Sequence, residues 1–142
     1  MAAGWQEKGM IIGIGIDLVK IDRIDKAGKH GGFLERIFTD REREYCSRQK
    51  FAAQHYAARF AAKEAVLKAI GTGWSAGIKW TDMEVLHGAG GGPVVNLSGR
   101  VKDLMDLKGV KQVLLSYSHD EGFAVAQVVL VGKPLSTGTE SD

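Results

Sequence analysis

One cysteine, Cys46, is found in the 142 residues. A single thiol cannot make an intramolecular disulfide, and no Cys/His group has zinc spacing, so a disulfide-stapled scaffold and a zinc-built fold are excluded. A reducing, cytoplasmic setting is expected. No long hydrophobic run is present either: Met10 to Val19 is too short to span a bilayer and is broken by Gly13, Gly15 and Asp17. Residues Met1 to Gly9 lack the basic start and small-residue cleavage site of a secretion signal, and Met10 offers an alternative start. Residues 1–9 are therefore expected to be a leader outside the fold. Internal repeats are absent. Net charge is only +2, with no interleaving of aromatic and basic residues, which argues against a nucleic-acid-binding domain.

What is present suits one folded domain over residues 10–133, with 44% hydrophobic and 25% charged residues. The polar stretch 134–142 is expected to be a disordered tail. Charge is unevenly placed, because residues 20–70 hold 12 Lys/Arg against 7 Asp/Glu while the remainder holds 7 against 10. Such a basic middle suits an acidic partner or a phosphate-bearing ligand.

Ile11 to Val19 reads as a strand with Ile12, Ile14, Ile16 and Leu18 on one face and Gly13, Gly15 and Asp17 on the other. Glycines on a strand mark a close backbone approach, so an element is expected to pack tightly over that second face. Thr39 with Glu42 predicts a capping box opening a short helix near Asp40, with Phe38 placed as a hydrophobic staple. A long alanine-rich helix is predicted over 52–70, ended by Gly71-Thr72-Gly73. Beyond it, 79–87 and 94–97 read as a hairpin, 100–108 as an amphipathic helix with Val101, Leu104 and Met105 on its apolar side, and 112–119 and 123–131 as strands around a three-residue loop. This order predicts an α+β fold, a mainly antiparallel sheet packed against a long central helix.

Chemistry concentrates on that helix. Tyr56, Phe60, Leu67 and Ile70 trace an apolar stripe, and Glu64 falls on it, where a carboxylate needs a cationic partner. If the helix covers the glycine face, Asp17 emerges beside Glu64, and two hard oxygen ligands with room for water and phosphate describe a magnesium site. The alternative pairs Glu64 with Lys68 and Asp17 with an arginine, and the spacing admits both. Arg59, Lys63 and Lys68 share the helix. Gly71-Thr72-Gly73 reads equally as a helix cap or a phosphate loop, and His119 as a phosphate ligand or a solvated turn residue. Cys46 reads as a packing residue, and His30, His55 and His87 form no usable pattern.

Together, Gly13-Ile14-Gly15-Ile16-Asp17 and, after 42 intervening residues, Phe60-Ala61-Ala62-Lys63-Glu64-Ala65-Val66-Leu67-Lys68 resemble the paired signature of the phosphopantetheinyl transferase superfamily. Arg23-Ile24, Phe38-Thr39 with Glu42, Gly71-Thr72-Gly73, Trp80-Thr81-Asp82, Pro93 with Leu97-Ser98-Gly99, and Ser116 to Asp120 are similar, in order, to the remaining blocks of its short holo-acyl-carrier-protein synthase group. Ala61 departs from the Ser, Cys or Thr frequent in the wider superfamily but looks usual in the short group.

The resemblance implies Mg²⁺-dependent transfer of the 4'-phosphopantetheine arm of coenzyme A to a serine of apo acyl carrier protein. It implies that Asp17 and Glu64 bind the metal and Lys68 neutralises the attacked phosphate. Arg59, Lys63, Gly71, Thr72, Gly73, Pro93 and His119 would line the coenzyme A site, and Arg23 would meet acidic residues of the carrier. A homotrimer with active sites between subunits is also implied, so that His119 and Pro93 would serve a neighbour's site. For the proton of the attacking serine, Glu64 and a metal-bound water both stay open. A non-catalytic coenzyme A or nucleotide-binding module is the competing reading, against which the intact Asp17, Glu64 and Lys68 speak.

Overall fold

The computed structural model describes residues 9–133 apart from residue 76. The expected leader, Gly9 apart, and the expected tail at 134–142 lie outside the described residues. In chain order the elements are β1 (Met10–Lys20), α1 (Ile21–Ala27), α2 (Phe33–Ile37), α3 (Asp40–Ser47), α4 (Ala52–Ile70), a 3₁₀ turn at Trp80–Asp82, β2 (Met83–His87), β3 (Pro93–Leu97), α5 (Gly99–Leu107), β4 (Val110–Asp120) and β5 (Phe123–Gly132). β1, β5 and β4 form an antiparallel sheet in that order, and β2 and β3 a separate hairpin. This is the predicted α+β arrangement, with α4 lying across the main sheet.

The glycine face of β1 does receive an element. A Cβ on Gly15 would sit 2.1 Å from the Ala65 carbonyl oxygen, and one on Gly13 2.2 Å from that of Ala69, so only glycine lets the strand backbone lie against α4. The other face differs from the simple alternation: a bulge between Ile11 and Gly13 turns Ile12 toward the core, while Ile14, Ile16 and Leu18 stay exposed.

α3 starts on the predicted capping box: Thr39 Oγ1 accepts from the Glu42 amide at 3.2 Å, and the Thr39 amide donates to Glu42 Oε1 at 2.9 Å. The staple is not formed. Arg43 stands where its apolar partner would be and donates from Nε to the Phe38 carbonyl at 3.3 Å, while the Phe38 ring packs on Tyr56 at 4.8 Å. α4 ends at Gly71 in the left-handed region, φ +84°, as a helix cap requires.

Three expectations need correction. Residues 80–82 form a 3₁₀ turn rather than extended chain, because the Asp82 carboxylate accepts from the Lys79 amide at 3.1 Å and closes the turn. The last hairpin turns on two residues, Glu121 and Gly122, both at positive φ (52° and 80°), the mirror-image turn that matches strand twist. The apolar stripe on α4 holds at Tyr56, Leu67 and Ile70, which are buried, but not at Glu64. Phe60 and Glu64 are half-buried and Lys68 is exposed, so this row is the helix's outer edge, whereas Arg59 and Lys63 are buried. Ala57, Ala58, Ala61, Ala62, Ala65 and Ala69 are all buried, because small side chains let neighbouring elements close on several sides of the helix at once. α5 keeps its predicted pattern, with Val101, Leu104 and Met105 buried.

Candidate active site

Asp17 follows Gly13 and Gly15 on the face of β1 turned toward α4, opposite Ala126 of β5. The strand runs antiparallel to the helix, so Asp17 meets the row of Glu64 and Lys68. Lys68 reaches from helix to strand: its Nζ donates to Asp17 Oδ1 at 2.9 Å and to the Ile16 carbonyl at 3.1 Å. The Asp17 side chain is only 14% exposed, against 54% for Lys68, so the carboxylate is set into the wall while the ammonium stays within reach of a ligand. Lys68 therefore pairs with Asp17 rather than with Glu64 one turn away.

Glu64 lies near enough to Asp17 to feel its charge. Partial burial, and then repulsion from Asp17, push the Glu64 carboxyl above its ordinary pKa, while Lys68, Arg23 and the Trp74 indole pull it back. Those opposing influences place Arg23, exposed on α1, and Trp74, just past the Gly71 cap, at the same site. Gly73 is also at positive φ, +61°, and the Thr72 hydroxyl donates to the Gly73 carbonyl at 3.3 Å. Trp74 leans on Trp80 with ring centroids 4.4 Å apart, and Trp80 stacks on Phe60 at 5.1 Å, which fixes the post-helix loop against the outer edge of α4.

Other predicted residues fall elsewhere. Lys63 is wholly buried, with its ammonium held by Glu42 Oε1 and the Ile37 carbonyl, both at 2.7 Å. Burial lowers its pKa and Glu42 opposes that fall. Glu42 gives its other oxygen to the Val85 amide at 2.8 Å, so this ion pair ties α3, α4 and β2 together. With no face open to a ligand, Lys63 is a structural cation, and its expected place in the coenzyme A site is corrected. Arg59 is also buried, lying over the Tyr45 ring at 4.8 Å and donating from Nη1 to the His55 carbonyl at 3.3 Å. Pro93 stands opposite His87 in the hairpin, and the His87 ring lies 4.9 Å from that of Tyr45. His119 is exposed near the end of β4, with β5 separating it from β1, about 10 Å across at the usual strand spacing.

Within one chain, then, Asp17, Glu64, Lys68 and Arg23 come together beside the Gly71–Gly73 loop, whereas Pro93 and His119 do not join them. Sequence reasoning missed Trp74, for which an aromatic after a glycine cap gives no signal. It also missed Glu42 as the partner of Lys63, although the capping box had already singled Glu42 out. Among the described residues, no cluster of three His, Cys, Asp or Glu side chains could hold a metal unaided, and no helix is long and apolar enough to cross a membrane.

Comparison with known proteins identifies the family. The family profile for the 4'-phosphopantetheinyl transferase superfamily matches residues 13–128. A holo-[acyl-carrier-protein] synthase from Geobacter sp. (strain M21) is 50% identical over 123 residues, covering 85% of this chain and 98% of the relative. A crystal structure of a holo-(acyl-carrier-protein) synthase from Bacillus anthracis str. Ames, in complex with CoA (3',5'-ADP), superposes with a TM-score of 0.72 at 40% identity, covering 87% of this chain and 99% of that one. The synthase from Neisseria meningitidis gives a TM-score of 0.77 at 34% identity, covering 85% and 98%. With the family profile matched over residues 13–128 and a relative 50% identical over nearly its whole length, the chain belongs to the 4'-phosphopantetheinyl transferase superfamily.

Proposed function

We propose that residues 10–133 form a holo-acyl-carrier-protein synthase domain, which moves 4'-phosphopantetheine from coenzyme A to a serine of apo acyl carrier protein. The observation that carries this reading is the meeting of Asp17, Glu64 and Lys68 between a glycine-faced strand and the helix packed on it. The relatives of matching length and their nucleotide complex support the same substrates.

The donor set fits Mg²⁺. Two carboxylates that repel each other leave an unmet need for positive charge, and Mg²⁺ takes one or two carboxylates and completes its shell with water and phosphate oxygens. Asp17 and Glu64 would hold the ion. Bound there, it would supply charge stabilisation for the phosphates of coenzyme A.

In the reaction the serine oxygen forms a bond to the β-phosphorus of coenzyme A, the bond from that phosphorus to the bridging oxygen breaks, and adenosine 3',5'-bisphosphate leaves. Phosphoryl transfer asks mainly for alignment and for charge where negative charge gathers. Lys68 supplies such a charge and is held in direction by Asp17 and the Ile16 carbonyl. The serine proton passes to Glu64 or to water at the site. Arg23, exposed beside Glu64, meets acidic side chains of the carrier. Gly71 to Gly73 border the path of coenzyme A.

We place the chain in a homotrimer with active sites between subunits, in the cytoplasm. The exposed row Ile14, Ile16 and Leu18, each about 60% exposed, supports a covered sheet face, as does Leu114 at 45%. Pro93 and His119, remote from Asp17 in one chain, would then complete a neighbour's site.

Substitution at the carboxylates tests the assignment. Asp17→Asn and Glu64→Gln should each lower transfer by a factor on the order of 10³ at limiting Mg²⁺, comparable to losing one charge-stabilising group. Near-normal rates in either variant would show that the metal assignment is wrong.

A further inference from the structure

Glu64 is not held by the lysine beside it. One turn further along α4, Lys68 directs its ammonium to Asp17 and to the Ile16 carbonyl, and among the described residues no cation forms a salt bridge with Glu64. A half-buried glutamate on a helix edge keeps several rotamers unless a partner selects one.

What reaches Glu64 is an indole. α4 stops at Gly71, and Gly73 turns the chain again at φ +61°, so that Trp74 comes back against the outer edge of the helix. There its ring lies 4.4 Å from Trp80, Trp80 stacks on Phe60 at 5.1 Å, and Phe60 on Phe33 of α2 at 6.5 Å. Phe60 precedes Glu64 by one helical turn on the same row, so this ladder of rings carries Trp74 to the carboxylate. The Trp74 side chain hydrogen-bonds Glu64. An indole has one polar group, the Nε1–H, so it can only donate. Trp74 is 47% exposed, yet the stack behind it fixes the ring and therefore the direction of that donor.

We propose that Trp74 is a positioning residue for the metal: its Nε1–H holds one oxygen of Glu64 and so presents the carboxylate to Mg²⁺ in a single orientation. The inference rests on the proposed assignment of Asp17 and Glu64 as metal ligands, and adds the group that orients one of them. Two properties of one side chain are separated here. The ring, through Trp80 and Phe60, gives Trp74 its place, and the N–H gives Glu64 its direction. Hydrogen-bond partners of metal ligands act in this way, and losing one weakens metal binding by about 10- to 100-fold. The smaller figure is expected for a half-buried carboxylate that shares the ion with Asp17.

The test is a titration of the full chain with Mn²⁺ in place of Mg²⁺, with free ion read by electron paramagnetic resonance. Coenzyme A is present at saturation, carrier is left out so that no transfer occurs, and coenzyme A alone is the blank. Trp74→Phe keeps a ring for the stack and removes the donor, whereas Trp74→Ala removes both. Trp74→Phe should raise the Mn²⁺ dissociation constant about tenfold while its melting temperature and its affinity for coenzyme A in the presence of a chelator stay as in wild type. Trp74→Ala should weaken Mn²⁺ at least as much. Wild-type Mn²⁺ affinity in Trp74→Phe, with a loss seen only in Trp74→Ala, would show that the ring merely packs and would overturn the proposal while leaving Asp17 and Glu64 as ligands. Absence of Mn²⁺ binding by wild type would overturn it together with that metal assignment.

Discussion

Lys63 and Lys68 lie five positions apart on one helix and have opposite fates. Lys68 projects from the outer edge of α4 to Asp17 and remains half exposed, a cation at the disposal of a substrate. Lys63 is sealed against Glu42, where it serves the packing of three elements. Both stand in the same signature, and their difference is set by which flank of the helix faces α3. Replacing Lys63 with Met would leave the Glu42 carboxylate buried without its cation. The expected cost is about 3 to 5 kcal/mol of unfolding free energy, measured by urea denaturation. A loss below about 1 kcal/mol, the range of an exposed pair, would contradict the buried role. Cys46 behaves as the sequence suggests, since burial pushes its thiol up to about 11 and removes it from reaction.

At the scale of elements, the strand and the helix that carry the site were legible because each had a local physical signature. The glycines of β1 announced a close neighbour, and alanine content with a glycine stop bounded α4 at the residues observed. Which side of α4 faces outward was not legible. Its alanines are buried on several sides, so hydrophobicity carries almost no direction along this helix, and Glu64 was drawn toward the core when it lies at the rim. The convergence of Asp17 with Glu64 still followed, because it depended on the strand's glycine face. The strand-to-helix contact can be probed at Gly15. A methyl group there would lie 2.1 Å from the Ala65 carbonyl, so Gly15→Ala should force β1 away from α4, destabilising the fold by about 1 to 3 kcal/mol and reducing activity. An unchanged melting temperature would mean that the two backbones are not in contact.

For the whole molecule, the open question is what covers the outer face of the main sheet. Ile14 of β1, Val129 of β5 and Leu114 of β4 lie side by side across the three strands, forming an apolar row on the face away from α4. In the proposed trimer this row is buried between subunits, which also brings a neighbour's His119 and Pro93 toward the Asp17 site. Ile14→Glu, exposed in one chain, should leave each subunit folded but dissociate the assembly, as read by light scattering with circular dichroism. A trimer surviving that substitution would place the interface elsewhere.

The central claim is tested most directly by the intact mass of apo acyl carrier protein after incubation with this protein, coenzyme A and Mg²⁺. The account predicts that the carrier gains one phosphopantetheine group on its serine, and that the gain disappears without coenzyme A or with Glu64→Gln. A carrier of unchanged mass, despite bound coenzyme A, would contradict it and leave a binding module in place of an enzyme.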